Sequence, residues 1–141
     1  MIQRIQTLWL IIVAITAFAT SRLVLFEGNL PNGTILPFNF ASSLILSIVI
    51  IALGLLALIC LFLYKNRKLQ FKLSVTGLIF SIGFLFLEYF MVEGFKKENS
   101  ILTGSYQLGA LLPVLMIVFF FLAARGIYRD EKLVKSMDRL R

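Results

Sequence analysis

The sequence predicts an all-α integral membrane four-helix bundle, with both termini cytoplasmic and a short cytoplasmic amphipathic helix at the carboxyl end. Three observations carry that prediction. Hydrophobic residues make up 60% of the 141-residue chain and mean hydropathy is +0.94, whereas soluble domains hold about 45–50% apolar residues. Four apolar stretches, at about 7–26, 41–64, 73–95 and 108–128, can each cross a ~30 Å hydrocarbon core, which takes about 20 helical residues. Finally, the basic residues are unevenly divided. With four spans the termini share one side, which holds Arg4, Lys65, Arg67, Lys68, Lys72, Arg125, Arg129, Lys132, Lys135, Arg139 and Arg141. The other side holds only Arg22, Lys96 and Lys97. Eleven against three places the termini in the cytoplasm by the positive-inside rule, so the net charge of +7 is a topology signal before it is a ligand signal.

Residues 1–128 form the transmembrane domain and residues 129–141 a charged tail. In the first span, Ala17-Phe18-Ala19 has the small-residue look of a signal cleavage site. Apolar residues continue past it through Leu23-Val24-Leu25-Phe26, which a cleaved signal does not need, so the span is read as retained. The first outer loop, EGNLPNGTILPFNF, is rich in turn formers. Asn32-Gly33 between apolar runs can seed a small hairpin, with an ordinary surface loop as the simpler expectation. The inner loop KNRKLQFK is a short basic connection. The second outer loop, KKENSILTGSYQ, reads as solvated.

Within the spans, small residues recur at helical spacing: Ala14, Ala17 and Ser21; Ser43, Ser47 and Gly54; Ser74, Gly77 and Ser81. Such faces let helix backbones approach in lipid, either inside this bundle or against another protein. Cys60 reads as a small buried hydrophobe, and Phe119-Phe120-Phe121 as lipid-facing bulk. Pro113, early in the fourth span, predicts a bent or locally unwound helix. In the tail, Leu133, Val134, Met137 and Leu140 form one narrow apolar stripe. It predicts a helix from about Arg129 to Leu140 that lies on headgroups or docks on a partner.

The chain has no histidine and one cysteine, which removes the commonest metal ligand and the commonest general base near neutral pH. It also lacks a Gly-rich phosphate loop, a GxSxG nucleophile motif and an intramembrane carboxylate pair. No catalytic, cofactor or metal residue is therefore assigned, and neither enzymatic activity nor nucleic-acid binding is expected. The ionisable residues assigned to the membrane are Arg22 and Glu88. Each lies fifteen residues from the inner end of its span, so at 1.5 Å per residue both reach ~22 Å above the inner boundary. That common depth makes them a candidate ion pair, with Glu27, Glu93 and Lys96 as competing partners. The alternative is that each reaches the outer interface separately.

The opening MIQRIQTLWL and the closing RGIYRDEKLVKSMDRLR, around four spans, resemble a small inner-membrane protein family of Bacteroidetes, a domain of unknown function. The resemblance implies a bacterial source, the inner membrane and a four-span fold, and it supplies no activity. Its distinctive residues are Gln3, Arg4, Gln6, Asp130, Glu131 and Asp138 to Arg141. The tail residues Asp130, Glu131, Leu133, Met137, Asp138, Arg139, Leu140 and Arg141 are thus candidate partner contacts. The expected role is a non-catalytic accessory or structural subunit of an inner-membrane assembly, with envelope biogenesis or protein export as the context. Its expected partners are membrane lipids and a larger membrane complex or a homo-oligomer. The alternative is a small transporter or lipid-binding membrane protein.

Overall fold

The computed structural model describes the backbone of residues 5–138 and the side chains of residues 5–134. Four helices, α1 (Ile5–Thr20), α2 (Leu44–Phe62), α3 (Arg67–Glu98) and α4 (Leu108–Asp138), form the bundle. Three strands, β1 (Val24–Asn29), β2 (Ile35–Asn39) and β3 (Thr103–Tyr106), form a small antiparallel sheet in the order β2-β1-β3. The helices pack as a ring, α1 on α2, α2 on α3, α3 on α4, and α4 back on α1. Hence α1 and α3 stand across the diagonal from each other.

Three helices are long and apolar enough to cross a membrane: Leu44–Phe62, Arg67–Glu98 and Leu108–Val134 within α4. The chain is inside-out relative to a soluble bundle. On α2, Ile45, Ile48, Ile51, Leu55, Ile59 and Phe62 are all exposed, one stripe at three- and four-residue steps. Leu8, Ile11, Ile15 and Phe18 repeat the pattern on α1. In water such stripes would collapse together; in lipid they are at home.

The expected first span needs correction. Helix α1 has 16 residues and ends at Thr20, so residues 24–26 belong to β1 rather than to a helix. Hydroxyls loosen its last turns: Thr16 Oγ1 donates to Val13 O (2.9 Å), Thr20 Oγ1 to Thr16 O (2.6 Å) and Ser21 Oγ to Phe18 O (2.7 Å). Backbone bonds from Arg22 N to Ala19 O and from Leu23 N to Thr20 O then tighten the chain into a turn. The apolar run Val24-Leu25-Phe26, with one β-branched and one aromatic residue, suits an extended strand that buries Leu25 and Phe26.

The purely helical fold class is likewise corrected by the sheet. Its hairpin does form at Asn32-Gly33. Gly33 N donates to Leu30 O and Leu30 N to Thr34 O, both at 2.9 Å. Pro31 takes the first inner position of the turn, and Gly33 adopts φ +75°, where a side chain would be strained. The second outer loop is not a free loop, because β3 pairs with β1 from Phe26↔Tyr106 to Asn29↔Thr103. Pro37 sits on β2, an edge strand, where its missing N–H costs no ladder bond.

Six of the nine small residues at helical spacing face inward, while Ser21, Ser43 and Ser47 are half-buried. Ala14, Ala17, Gly54, Ser74, Gly77 and Ser81 are all buried, so they build this bundle's interior. A Cβ on Gly77 would stand 2.6 Å from the Phe120 ring. Phe120 is itself fully buried while Phe121 is exposed, which corrects the reading of the phenylalanine run as uniformly lipid-facing. Helix α4 passes unbroken through Pro113 and continues into the tail as far as Asp138. The tail is therefore the last turns of α4 and not a separate helix.

Candidate functional site

At the sheet end of the bundle the acids are handled one by one. Glu27, on β1, accepts a hydrogen bond from Gln107 Nε2 at 2.7 Å. Glu93, near the end of α3, accepts from Lys96 Nζ at 2.8 Å. The same ammonium lies 5.0 Å from the Phe26 ring centre and 5.4 Å from that of Tyr106. Carboxylate and ring faces together hold this cation, since a π face is electron-rich.

Glu88 differs from both. It is 4% exposed, and its Oε2 has no hydrogen-bond partner. It lines a groove of ≈490 Å³ between α3 and the start of α4, with Phe86, Tyr89 and Phe90 of α3, Tyr106 of β3 and Ala110 of α4. The three aromatic α3 residues are more than half exposed. Five residues of helix, ~7.5 Å at 1.5 Å per residue, separate Glu88 from the better-solvated Glu93. A carboxyl group in apolar surroundings is expensive unless something hydrogen-bonds to it.

The candidate pair Arg22–Glu88 is not formed. Arg22 is exposed, in the turn after α1, and among the described residues no ion pair joins it to Glu88. The depth argument required α1 to stay helical through Arg22. The helix stops two residues earlier, on the element diagonal to α3, so Arg22 departs with the chain into the sheet. The competing cation does not reach Glu88 either, since Lys96 is held by Glu93; of the acids that could compete for Arg22, Glu27 accepts from Gln107 and Glu93 from Lys96. Among the described residues, no other carboxylate or cysteine gathers with Glu88 into a set able to hold a metal.

At the opposite end lie the tail candidates. Arg67, the first residue of α3, donates from a guanidinium nitrogen to Asp130 O at 3.4 Å. Glu131 and Val134 line a groove with Lys65 and Lys68, so the basic α2–α3 connection meets the tail there. Leu133 is exposed on α4. The side chains of Met137 and Asp138, and all of Arg139, Leu140 and Arg141, lie outside the described residues. A second groove at this end, ≈570 Å³, runs between α1 and α4 along Gln6, Trp9, Arg125 and Arg129.

Sequence reasoning had picked out Glu88 for its charge and missed its surroundings. Tyr89 and Phe90 follow Glu88 directly in the chain, and Tyr106 lies in the second outer loop. The available signal was their clustering around the same carboxylate, but joining Tyr106 and Ala110 to it required β3. Comparison with curated proteins and with solved structures finds no match. Residues 2–140 match the family described as a domain of unknown function (DUF4293), and the chain belongs to that family.

Proposed function

We propose that this protein is a non-catalytic membrane protein that binds an amphiphile from the side, its polar end at Glu88 and its tail along the apolar wall of α3. One observation carries this reading: a buried carboxylate with an unpartnered oxygen lines a groove walled by aromatic and aliphatic side chains. Ligand sites are typically apolar clefts with a few placed polar groups, and an intramembrane ionisable residue is by default a functional one. Native mass spectrometry of the protein in mild detergent tests it. One amphiphile per chain is expected to survive transfer to the gas phase. Ala110→Phe, which fills the groove, should lose the adduct while eluting at the same size. Equal retention by both proteins would refute the site.

The membrane proposed is the bacterial inner membrane, with the tail end of the bundle cytoplasmic and the sheet end outside. The eleven-to-three division of basic residues supports that orientation. Alkaline phosphatase fused after Arg67 or Arg141 should be inactive, and fusions after Gly33 or Asn99 active. Activity of the Arg141 fusion would reverse the orientation. A second reading, accessory subunit of a larger membrane assembly, is favoured by the course of α4. That helix runs on for two turns beyond Asp130, whose carbonyl accepts from Arg67 of α3, and so extends past the α2–α3 connection.

A further inference from the structure

Resting on the amphiphile-binding reading, we infer that the head group received at Glu88 is a primary ammonium, hydrogen-bonded by the carboxylate and packed against the aromatic side chains of the groove. The protein already shows how this rim treats such a cation. Lys96 has a carboxylate at 2.8 Å and two aromatic rings at 5.0 and 5.4 Å. The groove repeats those ingredients about one and a half helical turns further into α3: the Glu88 carboxyl with Phe86, Tyr89, Phe90 and Tyr106. No cation of this chain pairs with Glu88 among the described residues.

The chemistry of the lining separates the head groups. A phosphate or glycerol-phosphate head brings negative charge toward a carboxylate in a poorly screened site, so anionic amphiphiles are disfavoured. A quaternary ammonium satisfies ring faces and charge, but it has no N–H to donate to the carboxyl group. A primary ammonium supplies both the cation and the donor. A compact primary ammonium holds its water tightly, and at a site ~7.5 Å below Glu93 along the helix the carboxyl group and ring faces must replace that water. The source is either an amine-headed bilayer lipid or a free amphiphilic amine, and the two share this chemistry.

The test uses the full chain in nanodiscs containing a trace of photoreactive phosphatidylethanolamine, phosphatidylcholine or phosphatidylglycerol. All three carry the same diazirine acyl chain, and labelled peptides are mapped by mass spectrometry. Labelling of the peptides containing Tyr89 and Ala110 should favour the ethanolamine lipid by about tenfold over the glycerol lipid, the scale of one desolvated cation–π or charge-assisted contact. Glu88→Gln should bring the ratio near one while chain labelling persists, and Tyr89→Ala, at an exposed position, should reduce it part of the way. Dodecylamine should compete with the label. Competition by dodecylamine without preferential labelling by the ethanolamine lipid would support the ammonium site and assign it to free amines. Equal labelling by all three heads, unchanged in Glu88→Gln, would overturn the ammonium inference and leave the amphiphile reading standing. Groove labelling no higher than that of the exposed α2 stripe at Ile48 and Ile59 would overturn both.

Discussion

Glu88→Leu is expected to stabilise the detergent-solubilised protein and to abolish amphiphile retention. The two effects share one cause. Glu88 Oε2 is buried without a partner, and a buried polar group lacking a hydrogen bond costs about 1–3 kcal/mol. Leucine removes that group at similar length and matches the aliphatic and aromatic neighbours of the groove. A gain of about 1–3 kcal/mol in a reversible unfolding measurement is therefore expected. Opposed movement of stability and binding is the mark of a site kept for function. Glu93→Gln provides the contrast. Its ion pair with Lys96 is partly solvated, with side chains 27% and 36% exposed, and such pairs contribute only about 0–1 kcal/mol. Arg22→Gln combined with Glu88→Gln should be additive within about 0.5 kcal/mol, because the two residues share no partner. A loss of stability in Glu88→Leu would mean that the carboxyl holds the bundle together, and the site would then be structural.

Legibility of the fold in the sequence tracked the strength of each physical signal. Runs of about twenty apolar residues announced α2, α3 and α4, because lipid demands them over the whole length of a helix. The sheet gave only a local sign, Asn32-Gly33, and the simpler expectation of an ordinary surface loop is overturned by the hairpin. Strand β3 gave none. Thr103-Gly104-Ser105-Tyr106 is exposed throughout, so it has no alternation to betray a strand, and its pairing with β1 is a tertiary choice. The Arg22–Glu88 match failed for a related reason. Counting residues converts to depth only where the backbone is helical, and α1 turns aside at Thr20. Likewise, three consecutive phenylalanines cannot tell which one faces inward. The inward one is Phe120, whose ring lies against the backbone of Gly77, and Gly77 was visible in the sequence only as part of a small-residue face. For the site, the charge was legible and the cleft was not, because its walls come from α3, β3 and α4 together.

The join between sheet and bundle is expected to be the most sensitive point of the framework, and Gly109→Ala tests it. Gly109 lies in the first turn of α4, buried against β1. A Cβ there would collide with the carbonyl oxygen of Val24 and stand 2.9 Å from its carbon. Both obstacles are backbone, so no rotamer change relieves them. Val24 is also pinned, because a bulge follows it in β1 and Gln107 N donates to Leu25 O at 3.0 Å. Overpacking of this kind costs about 1–3 kcal/mol, and here the strain falls beside the hydrogen bonds by which Gln107 ties the start of α4 to Leu25 and Glu27 of β1. Gly83→Ala and Gly94→Ala are the controls, since a Cβ at either meets nothing within 4 Å. By helix propensity they should be neutral or stabilising by up to about 1 kcal/mol. Hydrogen exchange distinguishes local from global damage. In Gly109→Ala, amides of residues 24–29 and 103–107 should exchange faster while those in the middle of α2 and α3 keep their protection. Because Tyr106 and Ala110 flank this glycine and line the Glu88 groove, amphiphile retention should fall along with protection of the sheet. Unchanged exchange at the sheet in Gly109→Ala would mean that α4 and β1 are not in the close contact on which the groove depends.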